Sequence, residues 1–180
     1  MATALTFVDK KLLETPVVGP EGAVYYTTTT TNGHFRGRKI TTITAASGLV
    51  GFINWRENIF IINGVQRKWD DLKSRSNGIF SSEREWNWGK RPFKLKYHDS
   101  HKELLATPTV GSVADTVRFK PYEAHLLAHN EPAAVYFPDQ MQDEVERMFL
   151  LMAILQTEIH RQDMAKQSDE AMLEVATSGS

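Results

Sequence analysis

The residues best suited to chemistry in this chain are basic side chains gathered in two short segments. The first segment, HFRGRK at 34–39, surrounds a glycine with three bases, which can hold a phosphate group through charge-assisted hydrogen bonds. The second, EWNWGKRPFKLKYH at 85–98, interleaves bases with aromatic residues, a pattern that suits an anionic membrane surface or stacking on nucleic-acid bases. The side chains predicted to contact an anionic headgroup are Arg36, Arg38, Lys39, Lys90, Arg91, Lys94 and Lys96.

A purely structural interpretation of both segments stays open. In a strand, alternate side chains point to opposite faces, so Phe93 and Leu95 would line a core while Lys94 and Lys96 face solvent. Trp86 would lie on a core-facing side of the preceding strand by the same reasoning. The segment at 34–39 would then be an ordinary solvated loop.

Histidines offer little for a metal site. His98, Asp99 and His101 fall in a predicted turn, and a hydrolase or metal enzyme built on them is the third functional alternative. His125 and His129 are four residues apart, which suits one metal ion only on a helix. The sequence has no nucleophile elbow, phosphate-binding loop or dinucleotide fingerprint. We therefore predict no catalytic residue, no metal, no cofactor and no enzymatic activity.

Composition limits the class of protein. The chain has 180 residues, a formal charge of −1 and no cysteine, which fits one domain without disulfides and argues against general nucleic-acid binding. Residues 139–174 hold nine acidic and three basic residues, whereas 1–138 hold thirteen acidic and eighteen basic ones. We see no leader peptide and no apolar run of the roughly 20 residues that cross a bilayer. An intracellular, cytoplasmic protein, able to act at the membrane periphery, is expected.

Short strands separated by turn signals are predicted from about residue 4 to 137. Asn-Gly pairs at 32–33, 63–64 and 77–78 suit tight hairpins, and their flanks are rich in β-branched and aromatic residues. Further strands are predicted at 83–88, 92–98, 103–107, 113–119 and 133–137. The segment 122–129 is ambiguous between strand and short helix, and strand is favoured. About twelve strands result, as in an all-β barrel or sandwich.

One helix follows the strands. Asp139 and Gln142 form a capping-box pattern, which predicts a helix over 139–162. Its segment RMFLLMAILQ at 147–156 is apolar on every face, so it must be buried on all sides. Only a closed sheet covers a helix all round, so we predict a closed antiparallel β-barrel around a buried C-terminal α-helix. Residues 1–162 would form this single domain and 163–180 a partly disordered tail.

The same features carry a resemblance to a known group of proteins. The segment EWNWGKRPFKLKYH, with Trp86, Trp88 and Gly89, and the apolar helix 148–155 resemble the LURP-one/tubby-C-terminal-like superfamily, and within it a fungal family of unknown function. The resemblance covers residues 4–162 and implies a barrel of about twelve strands around a C-terminal helix. Tubby-like members bind phosphoinositides and scramblase-like members associate with membranes. No site residue carries over by position.

Together these patterns predict a non-enzymatic binding module for anionic membrane surfaces or phosphoinositide headgroups. The alternative is a protein-interaction or homo-oligomeric scaffold. Its contact surface would be an outer barrel face near Ile59–Ile62, where the chain is apolar on both faces of one strand. Nucleic acid is not an expected partner.

Overall fold

A computed structural model of the chain describes residues 2–33, 37–75, 83–125 and 129–178. Within these ranges the chain forms a single mainly β unit with a long C-terminal helix. The strands are β1 (Ala2–Phe7), β2 (Pro16–Val18), β3 (Val24–Asn32), β4 (Arg38–Ala45), β5 (Val50–Asn54), β6 (Ile59–Ile62), β7 (Val65–Lys68), β8 (Lys73–Arg75), β9 (Arg84–Trp86), β10 (Phe93–His98), β11 (Glu103–Pro108), β12 (Val117–Lys120) and β13 (Ala134–Pro138). The helices are α1 (Trp69–Leu72) and α2 (Glu144–Ser178).

All the strands belong to one antiparallel sheet, in the order β7-β6-β5-β4-β3-β2-β1-β13-β12-β11-β10-β9-β8. The first and last strands, β1 and β13, lie side by side in the middle. The mainly β class predicted from the sequence is confirmed. Thirteen strands are present in the described part of the chain rather than about twelve. The prediction missed β2, β7 and β8, which are short, and β7 is exposed at every position.

Two of the predicted hairpin turns can be located. Asn63 and Gly64 join β6 to β7 with φ angles of 50° and 77°, the positive values that a tight two-residue hairpin turn requires. The pair at 32–33 lies at the end of β3, of which Asn32 is the last residue. The pair at 77–78 lies outside the described residues.

Two segments predicted as strands differ in the structure. The segment 122–129 forms no strand in its described residues: Glu123 only makes an isolated antiparallel bridge with Glu131. The predicted strand at 113–119 begins as a 3-10 turn over Val113–Asp115, capped by the Ser112 side chain, and becomes β12 only at Val117. Local polar side chains satisfy the backbone at both places and compete with the sheet ladder.

The helix α2 begins later than predicted. Its cap is Asp143, whose Oδ1 accepts hydrogen bonds from the backbone N–H groups of Val145 at 2.9 Å and Glu146 at 3.1 Å. The predicted start at Asp139 is wrong, because Asp139 instead accepts a hydrogen bond from the Thr3 hydroxyl at 3.1 Å, next to β1. Two capping-type acids four residues apart made the sequence pattern ambiguous.

The central part of α2 is buried on every side, as predicted. Residues 148–155 are each at most 1% exposed, although they occupy more than two full turns of helix. The helix packs against β5 and β6 in one arm of the sheet and against β11 in the other. The sheet therefore covers the helix from opposite directions.

The helix also runs further than predicted. It continues from the predicted boundary at 162 to Ser178, through a segment with no glycine or proline and many good helix formers. Side chains from Met164 to Met172 are exposed, at 52% and 73% for these two methionines. The second half of α2 thus projects beyond the sheet.

The two edges of the sheet, β7 and β8, are joined by the four residues of α1. No hydrogen-bonded ladder joins β7 to β8 among the described strands. Side chains do meet across the gap: the rings of Phe60 in β6 and Trp86 in β9 stack at 5.6 Å, and Arg67 in β7 donates to the carbonyl oxygen of Trp88. Hydrogen bonding thus leaves the sheet open between these edges.

Candidate functional site

The two predicted basic clusters lie at opposite ends of the buried helix. Arg91 pairs with Glu146, near the start of α2, and Arg38 pairs with Asp163. These two acids are seventeen residues apart on one helix, which separates them by about 25 Å at 1.5 Å per residue. The two clusters therefore do not form one surface. Arg36, which was predicted to belong to the first cluster, lies outside the described residues.

Arg91 is engaged within the protein. Its Nε and Nη2 donate to the two carboxylate oxygens of Glu146 at 3.1 and 2.6 Å, and its Nη1 donates to Asp115 at 2.5 Å. The hydrogen bonds to Glu146 are the main reason that the pKa of Arg91 is raised. Three of the five N–H donors of the guanidinium are thus used to join α2 to the loop before β12.

The aromatic residues of the second cluster face the core, and its lysines face outward. Trp86 and Phe93 are fully buried and Leu95 is 2% exposed, as the strand alternation predicts. Lys96 is exposed, and the ammonium of Lys94 lies 4.0 Å from a carboxylate oxygen of Glu83. Lys90 is exposed at the turn between β9 and β10. The structural interpretation of this segment therefore fits the observed packing.

A cavity of about 360 Å³ lies beside α2 where the helix leaves the sheet, and we call it the exit pocket. Its floor is apolar, and basic side chains from three parts of the chain surround it. It is lined by Lys10, Lys11, Leu12, Leu13, Glu14, Thr30, Asn32, Arg38, Ile159, Gln162, Asp163 and Lys166.

Four bases and two acids give the exit pocket an excess of positive charge. Arg38 donates from both terminal nitrogens to Asp163 and lies 5.3 Å above the ring of Trp55, so its position is fixed. Lys11 lies 3.7 Å from Glu14 in an exposed pair. Within the described ranges, no ion pair holds Lys10 or Lys166. Both lysines are exposed and line the exit pocket.

The opposite end of α2 has a second cavity of about 300 Å³. Lys90 and Arg91 line it, but so do Asp143 and Glu146, and Glu146 is already bonded to Arg91. Its charge is therefore balanced. This cavity suits an anion less well than the exit pocket does.

Of the six predicted residues that the structure describes, one lines the exit pocket, Arg38. Lys39 follows it directly and is exposed at the same end of β4. Sequence reasoning missed Lys10, Lys11 and Lys166, because these residues are distant in the chain. The adjacent bases in DKK at 9–11 were a signal, but nothing local indicated that they meet α2.

The histidines considered as metal ligands in the sequence have different neighbours in the structure. His98 is the last residue of β10, and Asp99 and His101 lie in the turn that follows it. These three residues are not among the described side chains that converge closely enough to share a metal ion. A different group does converge: Glu123, His125 and Glu131 offer ligand atoms that all lie within 4.8 Å of one another. The pairing of Glu123 with Glu131 is tertiary, so histidine spacing could not reveal it.

The strand β6 was predicted to be apolar on both faces. Phe60 and Ile62 face α2 and are at most 1% exposed, while Ile59 on the other face is only 5% exposed. Ile61 is half-buried. Because these values belong to a single chain, the chain itself covers much of the outer side of β6.

The longest stretch without charge in the 35-residue helix α2 is 148–157. Among the described residues, no helix is long and apolar enough to cross a membrane. Comparison of the chain with known protein families, with characterised proteins and with solved structures gives no match.

Proposed function

We propose that the protein is a non-enzymatic binding module that takes an anionic, phosphate-bearing ligand in the exit pocket. The observation that carries this proposal is the meeting of Lys10, Lys11, Arg38 and Lys166 over an apolar floor. A volume of about 360 Å³ falls in the range of small-molecule sites. A headgroup with one or two phosphates fits such a cavity in charge and in size.

The roles of the bases in this proposal differ. Arg38 is held by Asp163 and Trp55, so it supplies a fixed cation at the wall. Lys10, Lys11 and Lys166 carry long side chains that can close on phosphate oxygens through charge-assisted hydrogen bonds. The apolar floor of Leu12, Leu13 and Ile159 would contact the non-polar side of the ligand.

Two sources can supply this chemistry: a phosphoinositide headgroup in a bilayer or a soluble phosphorylated compound. The helix α2 continues fifteen residues past Asp163, about 22 Å, and carries Asp169 and Glu170 on the way. A bilayer must therefore approach the pocket from beside an acidic helix. The predicted membrane-peripheral location stays a prediction that the following experiment separates from soluble binding.

The test measures binding of inositol phosphates by calorimetry, and of vesicles with and without phosphoinositide by co-sedimentation, at low and moderate salt. We expect Lys10→Gln/Lys11→Gln/Lys166→Gln to weaken binding by more than roughly tenfold, since three charge-assisted contacts are lost. The matched control, Lys90→Gln/Lys94→Gln/Lys96→Gln, removes the same charge elsewhere and should bind normally. An equal loss of affinity in both variants would mean that binding follows net charge, and it would refute the exit pocket as the binding site.

We also propose that the sheet forms a barrel around α2 whose edges are held by side chains, and that this architecture is shared with the LURP-one/tubby-C-terminal-like superfamily. The contacts of α2 with both arms of the sheet and the stacking of Phe60 on Trp86 support a barrel. The homo-oligomeric scaffold stays the alternative function. A solution mass above one chain, without phosphate binding, would favour it.

A further inference from the structure

A small cross-strand cluster lies in the loop between β12 and β13, away from the exit pocket. Glu123 and Glu131 face each other in an antiparallel bridge, with N–H···O distances of 3.0 and 2.9 Å in the two directions. His125 is two residues after Glu123, and its Nε2 lies 3.7 Å from Oε1 of Glu131. The backbone N–H of His125 also donates to the Asn130 side chain at 3.0 Å, which holds the segment in place.

We propose that Glu123, His125 and Glu131 form a binding site for a transition-metal dication of the zinc class. Zinc takes imidazole nitrogen and carboxylate oxygen at about 2.0–2.2 Å, and ligand atoms around a tetrahedral ion are then roughly 3.4 Å apart. The three ligand atoms already lie within 4.8 Å of one another, so a small movement of half-exposed side chains completes the geometry. An imidazole ligand favours this class over calcium or magnesium, which prefer all-oxygen sites.

Two lysines currently neutralise the carboxylates. The ammonium of Lys102 lies 2.6 Å from Glu123, and that of Lys120 donates to Glu131. These hydrogen bonds are the main reason that the pKa values of Glu123 and Glu131 are lowered. Each lysine contacts a carboxylate that the metal ion would also bind.

Displacing these lysines is feasible because the pairs are at the surface. The side chain of Lys102 is 67% exposed and that of Lys120 is 33% exposed, and exposed ion pairs contribute little to stability. Metal and lysine should therefore compete for the same carboxylates. This competition distinguishes the site from nonspecific binding of cations to surface acids.

The experiment titrates zinc chloride into the chelator-treated full chain by calorimetry, with amide NMR shifts as a second readout. We expect one ion per chain, with the shifts centred on residues 123, 125 and 131. His125→Ala should weaken binding by more than roughly tenfold. His101→Ala, which removes an exposed histidine from another turn, should bind normally. Lys120→Met should bind more tightly, because it removes the competing ammonium.

Three results would overturn the proposal. One is the absence of zinc binding at micromolar protein and metal, and another is equal binding in the wild type and His125→Ala. The third is an unchanged affinity in Lys120→Met, which would exclude a shared carboxylate site. Thermal unfolding of each variant checks that the fold is retained, and the inositol phosphate assay checks that the exit pocket is unaffected.

Discussion

At the scale of single residues, the role of a basic side chain depends on the partners that it already has within the protein. The bases most conspicuous in the sequence, Arg38 and Arg91, are the ones most engaged within the protein. Their partners Asp163 and Glu146 are 125 and 55 positions away. Sequence patterns identify the bases, but they cannot reveal contacts at such separations. Arg91 contributes first to the fold, whereas the less conspicuous Lys10, Lys11 and Lys166 line a cavity, and only Lys11 has an ion-pair partner, Glu14, within the described part of the chain.

Replacing Arg91 with methionine tests this structural role. The change leaves Asp115 and Glu146, which are 15% and 21% exposed, without their shared cation. Because hydrogen bonds to charged groups contribute about 1.5–3 kcal/mol, we expect the free energy of unfolding to fall by about 2 kcal/mol. Chemical denaturation measures this change. The control Lys90→Met at the neighbouring exposed position should stay within about 0.5 kcal/mol of the wild type, and equal effects would contradict the assigned role.

At the scale of elements, the approach of α2 to the sheet depends on a glycine in β5. A Cβ atom added to Gly51 would lie 2.9 Å from the sulfur atoms of both Met148 and Met152. These methionines are fully buried, so they have little room to move. The absence of a side chain at this position allows the helix to lie directly on β5.

Gly51→Ala should therefore destabilise the protein through overpacking, by about 1–3 kcal/mol in the free energy of unfolding. Gly89→Ala is the matched control, since a Cβ atom there meets nothing within 4 Å. In a Met152→Ala background the same Gly51→Ala change should cost less, because one of the two clashes is gone. An equal cost in both backgrounds, measured by denaturation, would place the strain elsewhere.

The elements show which sequence signals can be trusted. The uncharged run at 148–156 correctly predicted burial on all sides, because a helix that is apolar on every face is unstable when exposed to water. The helix boundary failed because Asp139 and Asp143 both suit a cap, and only the contact of Asp139 with Thr3 decides between them. Strand β7 was missed because Val65–Lys68 has no buried side chain and thus no alternation to detect.

At the scale of the whole molecule, β7 and β8 are the two edges of the sheet, and the proposed barrel would close between them. If side chains alone hold β7 near β8, alternate amides of β7 have no ladder partner on the outer side. We expect those amides to exchange hydrogen rapidly, while the amides of β4, which is paired on both sides, are protected. Native-state hydrogen exchange by NMR measures this. Uniform protection along Val65–Lys68 would mean a ladder across the gap.

Closure could not have been derived from the sequence alone. The need to cover α2 predicted a wrapped sheet, and both arms do contact the helix. The side-chain contact across the gap depends on the relative placement of Phe60 and Trp86, which are 26 residues apart. That placement follows from the whole fold rather than from either segment.

The position of β1 beside β13 has a consequence for how the protein is made. The ribosome releases β1 first, but its neighbour β13 and the core helix come after every other strand. At a translation rate of about 5–20 residues per second, the inner faces of the early strands stay uncovered for roughly 8–30 s before Met148–Leu155 is synthesised. During that interval Phe60, whose ring lies 6.4 Å from that of Phe149, has no helix to cover it. Until the helix is synthesised, the nascent strands therefore expose apolar side chains that can associate with other chains.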